Sequence, residues 1–317
     1  MVFVLAVFLM ALLAALFGGS AAFTAFANAT WPPLGRFVEV EGVRLHVVTR
    51  GAKEHPAVLF LHGASGNVRD PLMALGERLS DDRFLIAVDR PGHGHSVRGT
   101  HADINDPATQ ARIIAGVVDA LDLDRPLIVA HSMAGTIALN LALNHADRIS
   151  GLVLLAPVSH PWPGGVNWYH HAFATPVFGP VLARLIGTPF GNLILPSGVE
   201  TVFAPDRVVD DYIEAAGARL ALRPATLVAN GRDLVQLHEH VARDAQRYGQ
   251  IDLPVTVISG DADNVVWTSI HTEGLRTGIA GARAIILPNA GHMPHHVAPD
   301  LVADEIRRMT AQGPTAD

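Results

Sequence analysis

Four short apolar runs, residues 57–61, 84–88, 127–130 and 152–155, carry none of the polar alternation of a strand with one wet face. Strands of this kind must be covered on both sides, which restricts the chain to a sheet between helical layers. Helix-like stretches separate the runs. Residues 107–121 set Ile113, Ile114, Val117, Val118 and Leu121 at helical spacing, and residues 133–145 are rich in Ala and Leu. The alternation predicts an α/β fold with a mostly parallel sheet and helices on both faces. Ahead of it, residues 37–40 and 43–48 read as a hairpin turned at Glu41-Gly42. Strand character returns at 255–259 and 284–287, and an amphipathic helix over 299–309 closes the pattern. Between Pro157 and about residue 250 the rhythm breaks. A loop, Pro161-Trp162-Pro163-Gly164-Gly165, leads into a stretch that reads helical. A length of 317 residues suits one core with an insertion. The expected division is a core over 31–157 and 251–317, with a helical cap over 158–250.

From Val2 to Phe26 no residue is charged, and the first charge is Arg36. As a helix, residues 2–17 extend roughly 24 Å, and continuation through Phe26 exceeds a hydrocarbon core of about 30 Å. Residues 1–30 are therefore expected to form a hydrophobic helix that anchors the chain in a membrane. The alternative is an export signal, for which Ala25-Phe26-Ala27 offers a small-x-small cleavage site but no positive n-region precedes the apolar stretch. Arg36 alone bears on orientation, leaving the side of the membrane open. Trp31-Pro32-Pro33 reads as a stiff linker to the body.

Hydrophobic residues make up 49% and charged residues 17%, enough apolar material for a large core. A net charge of -7 without a run of Lys or Arg argues against nucleic acid and for a small-molecule substrate. With no cysteine there is no disulfide, thiolate nucleophile or Cys-ligated zinc. No phosphate-loop spacing or dinucleotide fingerprint occurs, so no cofactor is expected.

A serine hydroxyl needs an adjacent base, a group to orient that base, and donors for the oxyanion it creates. Ser132 stands in Ala130-His131-Ser132-Met133-Ala134-Gly135, where an apolar strand runs into a helix through small residues. This is the setting of a nucleophile elbow, with Ala130 and Ala134 where glycines are usual. Taken alone, a serine at such a junction reads equally as a helix cap. Gly260-Asp261-Ala262-Asp263 follows one strand and Gly291-His292 the next, giving the order nucleophile, acid, histidine. Asp263 is the expected acid with Asp261 as runner-up, and His292 is the expected base. Of seventeen histidines, the neighbours His295 and His296 read as bystanders. The loop from Leu61 to Asn67 offers the Ala64 amide as one oxyanion donor, and the Met133 amide offers the other. In Asp89-Arg90-Pro91-Gly92-His93-Gly94-His95, the two histidines lack the further ligands of a metal site, so no metal is expected.

Together the His62-Gly63 loop, the Asp89–Gly94 loop, the His131-Ser132-Met133 elbow, Asp263 and His292 resemble the α/β-hydrolase superfamily over residues 37–309. The resemblance implies about eight core strands, a helical cap between the sixth strand and the last two, and the roles already given to Ser132, Asp263 and His292. It also implies ester hydrolysis. Carbon-carbon bond hydrolysis, acyl transfer and ligand binding without turnover are the alternatives, and a membrane scaffold ranks last. An aspartate nucleophile, as in epoxide hydrolases and haloalkane dehalogenases, is absent at position 132. Trp162, Trp168 and Val265 are expected at the substrate pocket, although large aromatics also serve simply to pack a cap onto a core. Tyr169 and Phe173, four apart, share one helical face.

Overall fold

The computed structural model describes residues 1–311. Eight strands form one sheet: β1 (Arg36–Val40), β2 (Val43–Arg50), β3 (Ala57–Leu61), β4 (Phe84–Val88), β5 (Leu127–His131), β6 (Gly151–Leu155), β7 (Val255–Gly260) and β8 (Arg283–Leu287), in the order β1-β2-β4-β3-β5-β6-β7-β8. β1 and β2 pair antiparallel, as do β2 and β4, and every later pairing is parallel. The strands read as doubly covered, β3 to β6, are buried along nearly their whole length.

One apolar layer joins the sheet to α3 (Pro107–Ala120) and α4 (Ala134–Asn144). The other joins it to α2 (Arg69–Leu79) and α13 (Pro299–Ala311). Parallel connections force the helices onto both faces in this way. The shorter α11 (His271–Gly278) and α12 (Pro294–Val297) flank β7 and β8.

Between β6 and β7 every regular element is helical: α5 (Trp168–Ala174), α6 (Phe178–Leu182), a π-helical turn (Ala183–Gly187), α7 (Thr188–Phe203), α8 (Tyr212–Ala215), a 3-10 turn (Ala218–Leu222), α9 (Pro224–Val235), α10 (Leu237–Asp244) and a second 3-10 turn (Ala245–Gln250). The N-terminal apolar segment is one helix, α1 (Val2–Thr30), long and apolar enough to cross a membrane. Its first residues, through Leu12, are exposed, whereas Leu13, Leu16, Ser20, Phe23 and Ala27 form a covered stripe at helical spacing. Trp31 ends α1 differently from a free linker. It is buried, packs with Ala27 and Leu220, and its indole N–H donates to the Glu214 carbonyl at 2.7 Å. The apolar ring wins a partner and cover there that an exposed linker would deny it.

Candidate active site

Ser132 lies in the sharp turn from β5 into α4 with φ +55°, a left-handed conformation rare for a residue bearing a Cβ. Two backbone bonds fix the turn: Ser132 N–H donates to the Leu155 carbonyl at 2.9 Å, and Val158 N–H donates to the Ser132 carbonyl at 3.0 Å. Ala130 and Ala134 are fully buried, but the closest approach falls one residue later. A Cβ on Gly135 would stand 2.5 Å from the Pro157 side chain, so the glycine displaced from its usual place is where the chain leaving β6 crosses closest.

The acid and base loops meet because Gly260 has no side chain, and the bare Gly291 lets the base loop lie against the chain leaving α7. A Cβ on Gly260 would stand 2.0 Å from the Ala290 carbonyl oxygen, and one on Gly291 2.3 Å from that of Ala204. This contact sets His292 Nδ1 2.7 Å from Asp263 Oδ2 and His292 Nε2 2.9 Å from Ser132 Oγ, with all three residues buried. Asp263 Oδ1 accepts the amides of Val265 and Val266 at 2.8 and 2.9 Å, so the carboxylate is held at both oxygens. Asp261 faces solvent and accepts the Asn289 amide at 2.6 Å, staying on its own side of the turn.

Ala64 and Met133 border the same cavity as Ser132. Among the described residues neither amide N–H has a protein acceptor, leaving two donors beside the hydroxyl. The Ala64 loop is held from behind: Arg90 donates to the carbonyls of His62 and Gly63 at 3.0 and 3.2 Å, and Asn230 Oδ1 of α9 accepts the Ser65 amide at 2.9 Å. Gly63 sits where a Cβ would press on Ser132 Cβ at 3.0 Å. Asn230, 165 residues away from Ser65 in sequence, carried no signal of this part.

The cavity has a volume of about 840 Å³ and lies between these loops and the helices that follow β6. Trp162 lines it, its ring against those of His238 and His271, and Val265 stands half-exposed at its edge. Trp168 does not reach it. At the first position of α5 it is 79% exposed and its ring meets only that of Tyr169, edge to face, because helical geometry turns Tyr169 and His170 inward in its place. Tyr169 and Phe173 do share a face, with ring centroids 6.4 Å apart.

His295 and His296 are more than surface neighbours. Asp70 of α2 accepts from both Nε2 atoms at 3.0 Å and from the Tyr212 hydroxyl at 2.8 Å, and coulombic and hydrogen-bond help from these histidines holds its carboxyl well below the usual range despite burial. Three donors satisfy this carboxylate, which accounts for the cluster without a cation. The His131 ring lies between those of His292 and His295, with centroids 4.8 and 4.7 Å away, and its Nε2–H donates to the His292 carbonyl at 2.9 Å. Burial lowers both His131 and His295 below the ordinary imidazole value, so these rings hold a proton less readily than a free histidine does. His93 and His95 diverge. His93 is buried against Arg90 and Asn230, while His95 donates to the Trp31 carbonyl.

Comparison with known proteins agrees with this architecture. The family model for the alpha/beta hydrolase fold matches residues 56–299. The 2-hydroxymuconate semialdehyde hydrolase of Pseudomonas sp. (strain CF600) is 30% identical over 225 residues, 64% of this chain and 78% of that one. The dihydrolipoyllysine-residue acetyltransferase component of the acetoin cleaving system of Cupriavidus necator is 27% identical over 262 residues, 81% of this chain but 64% of that longer one, so this chain spans slightly less than two thirds of it. A crystal structure of a membrane phospholipase A superposes with a TM-score of 0.67 at 20% identity and covers 99% of each chain, the N-terminal helix included. With a family model matched over most of its length and an eight-stranded sheet of the corresponding kind, this chain belongs to the alpha/beta hydrolase fold family.

Proposed function

We propose that the protein is a serine hydrolase that cleaves carboxylic ester-like bonds of a small, apolar substrate. The observation that carries this reading is the continuous hydrogen-bonded line Ser132–His292–Asp263, at 2.9 and 2.7 Å, opening on a cavity beside two unused amides. In this mechanism Ser132 Oγ attacks the carbonyl carbon while His292 Nε2 takes its proton. The oxyanion rests on the Ala64 and Met133 amides, and Asp263 holds Nδ1 protonated. The same proton passes to the departing alkoxide. Water, deprotonated by His292, then releases the acid and restores Ser132. The lining favours an apolar substrate through Trp162, Val199 and Leu237. The helices over residues 158–250 serve as the cap that sets this specificity. α1 anchors the body in a membrane, with an export signal as the alternative for the same segment.

A second reading, hydrolysis of a carbon-carbon bond next to a ketone, draws support from the likeness to the semialdehyde hydrolase at 30% identity. A fluorophosphonate probe and p-nitrophenyl esters of graded chain length test both. The first reading expects covalent labelling and ester turnover, with Ser132→Ala abolishing the label and lowering turnover by about a thousandfold or more. Labelling without turnover of any ester favours the carbon-carbon reading. A folded parent that takes no label overturns both.

A further inference from the structure

Between Ala172 and Val199 the chain carries one charge, Arg184, yet most of this segment is not buried. Phe178, Val181, Ile186, Phe190, Leu193 and Ile194 are all exposed, Leu193 by 74% and Ile194 by 65%. Their spacings of 3, 5, 4 and 3 to 4 residues follow one side of a helix, the step of five spanning the π-helical turn. They form an apolar ridge along α6 and α7, a surface that a water-facing domain rarely leaves open.

α1 fixes what covers the ridge. Its C-terminal half packs on the π-helical turn, α7 and the Ala218–Leu222 turn, with the Ser20 hydroxyl donating to the Arg184 carbonyl and Arg223 donating to Asn28. The free part, residues 2–12, rises only about 16 Å. A hydrocarbon core of about 30 Å needs about 20 residues, which takes the span to about Ala21, one residue past the contact with Arg184. A span made of α1's own apolar residues therefore reaches the turn that meets the cap and brings the cap to the lipid.

We propose that the α6–α7 ridge is a second membrane contact, seated in the leaflet beside α1. The proposal rests on the reading of α1 as an anchor. The same helix α7 lines the cavity with Leu195, Val199 and Val202, so one wall of the cavity belongs to an element in contact with lipid.

The chain has no cysteine, so single labels are unambiguous. Leu5→Cys, Phe190→Cys, Ile194→Cys and Lys53→Cys variants of the full chain would carry an environment-sensitive fluorophore in phosphatidylcholine vesicles. Lys53 is exposed in the β2–β3 connection, outside the ridge. The proposal expects labels at positions 5, 190 and 194 to shift to the blue and lose at least half their intensity to a lipid-borne quencher, while position 53 responds only to aqueous iodide. Quenching by lipid at 5 but by iodide at 190 and 194 overturns the ridge and leaves the anchor standing. Iodide quenching at all four positions overturns both. Labels at 190 and 194 shielded from both quenchers, with energy transfer between chains, assign the ridge to a second copy and overturn the proposal.

Discussion

Asp263 and Asp261 stand two positions apart in one loop, but their carboxylates do different work: one meets His292 at 2.7 Å and the other holds the Asn289 amide. Asp263→Asn places an amide against Nδ1 and favours the wrong imidazole tautomer, so kcat on an ester substrate is expected to fall by about 10⁴-fold without unfolding. Asp261→Asn keeps an acceptor for Asn289 and is expected to change kcat less than about threefold, since it touches no reacting group. Equal losses in the two variants would remove Asp263 from its assigned role. Ser132, Asp263 and His292 stood out in the sequence because each follows a strand-like apolar run, and the parallel strands of such a sheet deliver their following loops to one edge. Asp70, Tyr212 and Asn230 were not legible. Their partners lie from about 140 to 226 residues away in sequence, and only packing brings them together. Trp168 was misplaced because aromatic character says nothing about which side of α5 a residue occupies.

At the scale of elements, one carboxylate ties the helices after β6 to the core. Asp233 of α9 accepts a hydrogen bond from Arg90 at 3.0 Å and faces the Arg98 guanidinium as an ion pair at 2.6 Å, with Arg90 and Asp233 fully out of water. Removing one partner from a buried pair strands the other charge, so Asp233→Ala is expected to cost about 3–5 kcal/mol, read as a lower urea midpoint. A midpoint within experimental scatter of the parent's would mean that water reaches Arg90. Asn230, three residues earlier on α9, acts on the Ala64 loop through Ser65. Asn230→Ala displaces a donor rather than deleting it, so a fall of about tenfold in kcat with little change in KM is expected, less than outright loss of an oxyanion donor. A change confined to KM would assign Asn230 to substrate binding. The eight strands were read from sequence to within a few residues at each end: β3 to β6 as doubly buried runs, β1 and β2 through their tight Glu41-Gly42 turn, and β7 and β8 from apolar, β-rich runs. α2 and α11 were not, for each is a half-covered helix of mixed composition whose apolar stripe is too short to stand out.

For the whole molecule, the buried histidines couple folding to pH. Burial, reinforced by Arg90, lowers His62 to about 4, and burial likewise lowers His271 to about 4. His93, His131 and His295 are lowered in the same direction, again by burial first. In the unfolded chain each takes a proton near its ordinary 6.5, so below that pH the unfolded state binds more protons than the folded one. Their neutral burial therefore costs the fold nothing above 6.5 and weakens it progressively as pH falls toward 4. His62 alone accounts for about 2 kcal/mol by pH 5. Asp70 and Asp89 work the opposite way in charge but the same way in stability: hydrogen bonds from His295 and His296 to Asp70 and from His46 to Asp89 help hold both carboxyls down against burial, so their contribution is present above the ordinary 3.8 and disappears as pH falls through their folded values. The two windows adjoin, and no group among these regains stability on acidification. Urea midpoints of the full chain in detergent micelles at pH 7.5, 6.0 and 5.0 are accordingly expected to fall in that order, most steeply below 6. His62→Gln, which keeps a polar side chain but takes no proton, is expected to flatten the slope by about the His62 share even where it lowers the midpoint at pH 7.5. A parent midpoint unchanged between pH 7.5 and 5.0 would mean that these histidines take up protons in the folded state, and that the ring stack around His292 carries charge during turnover.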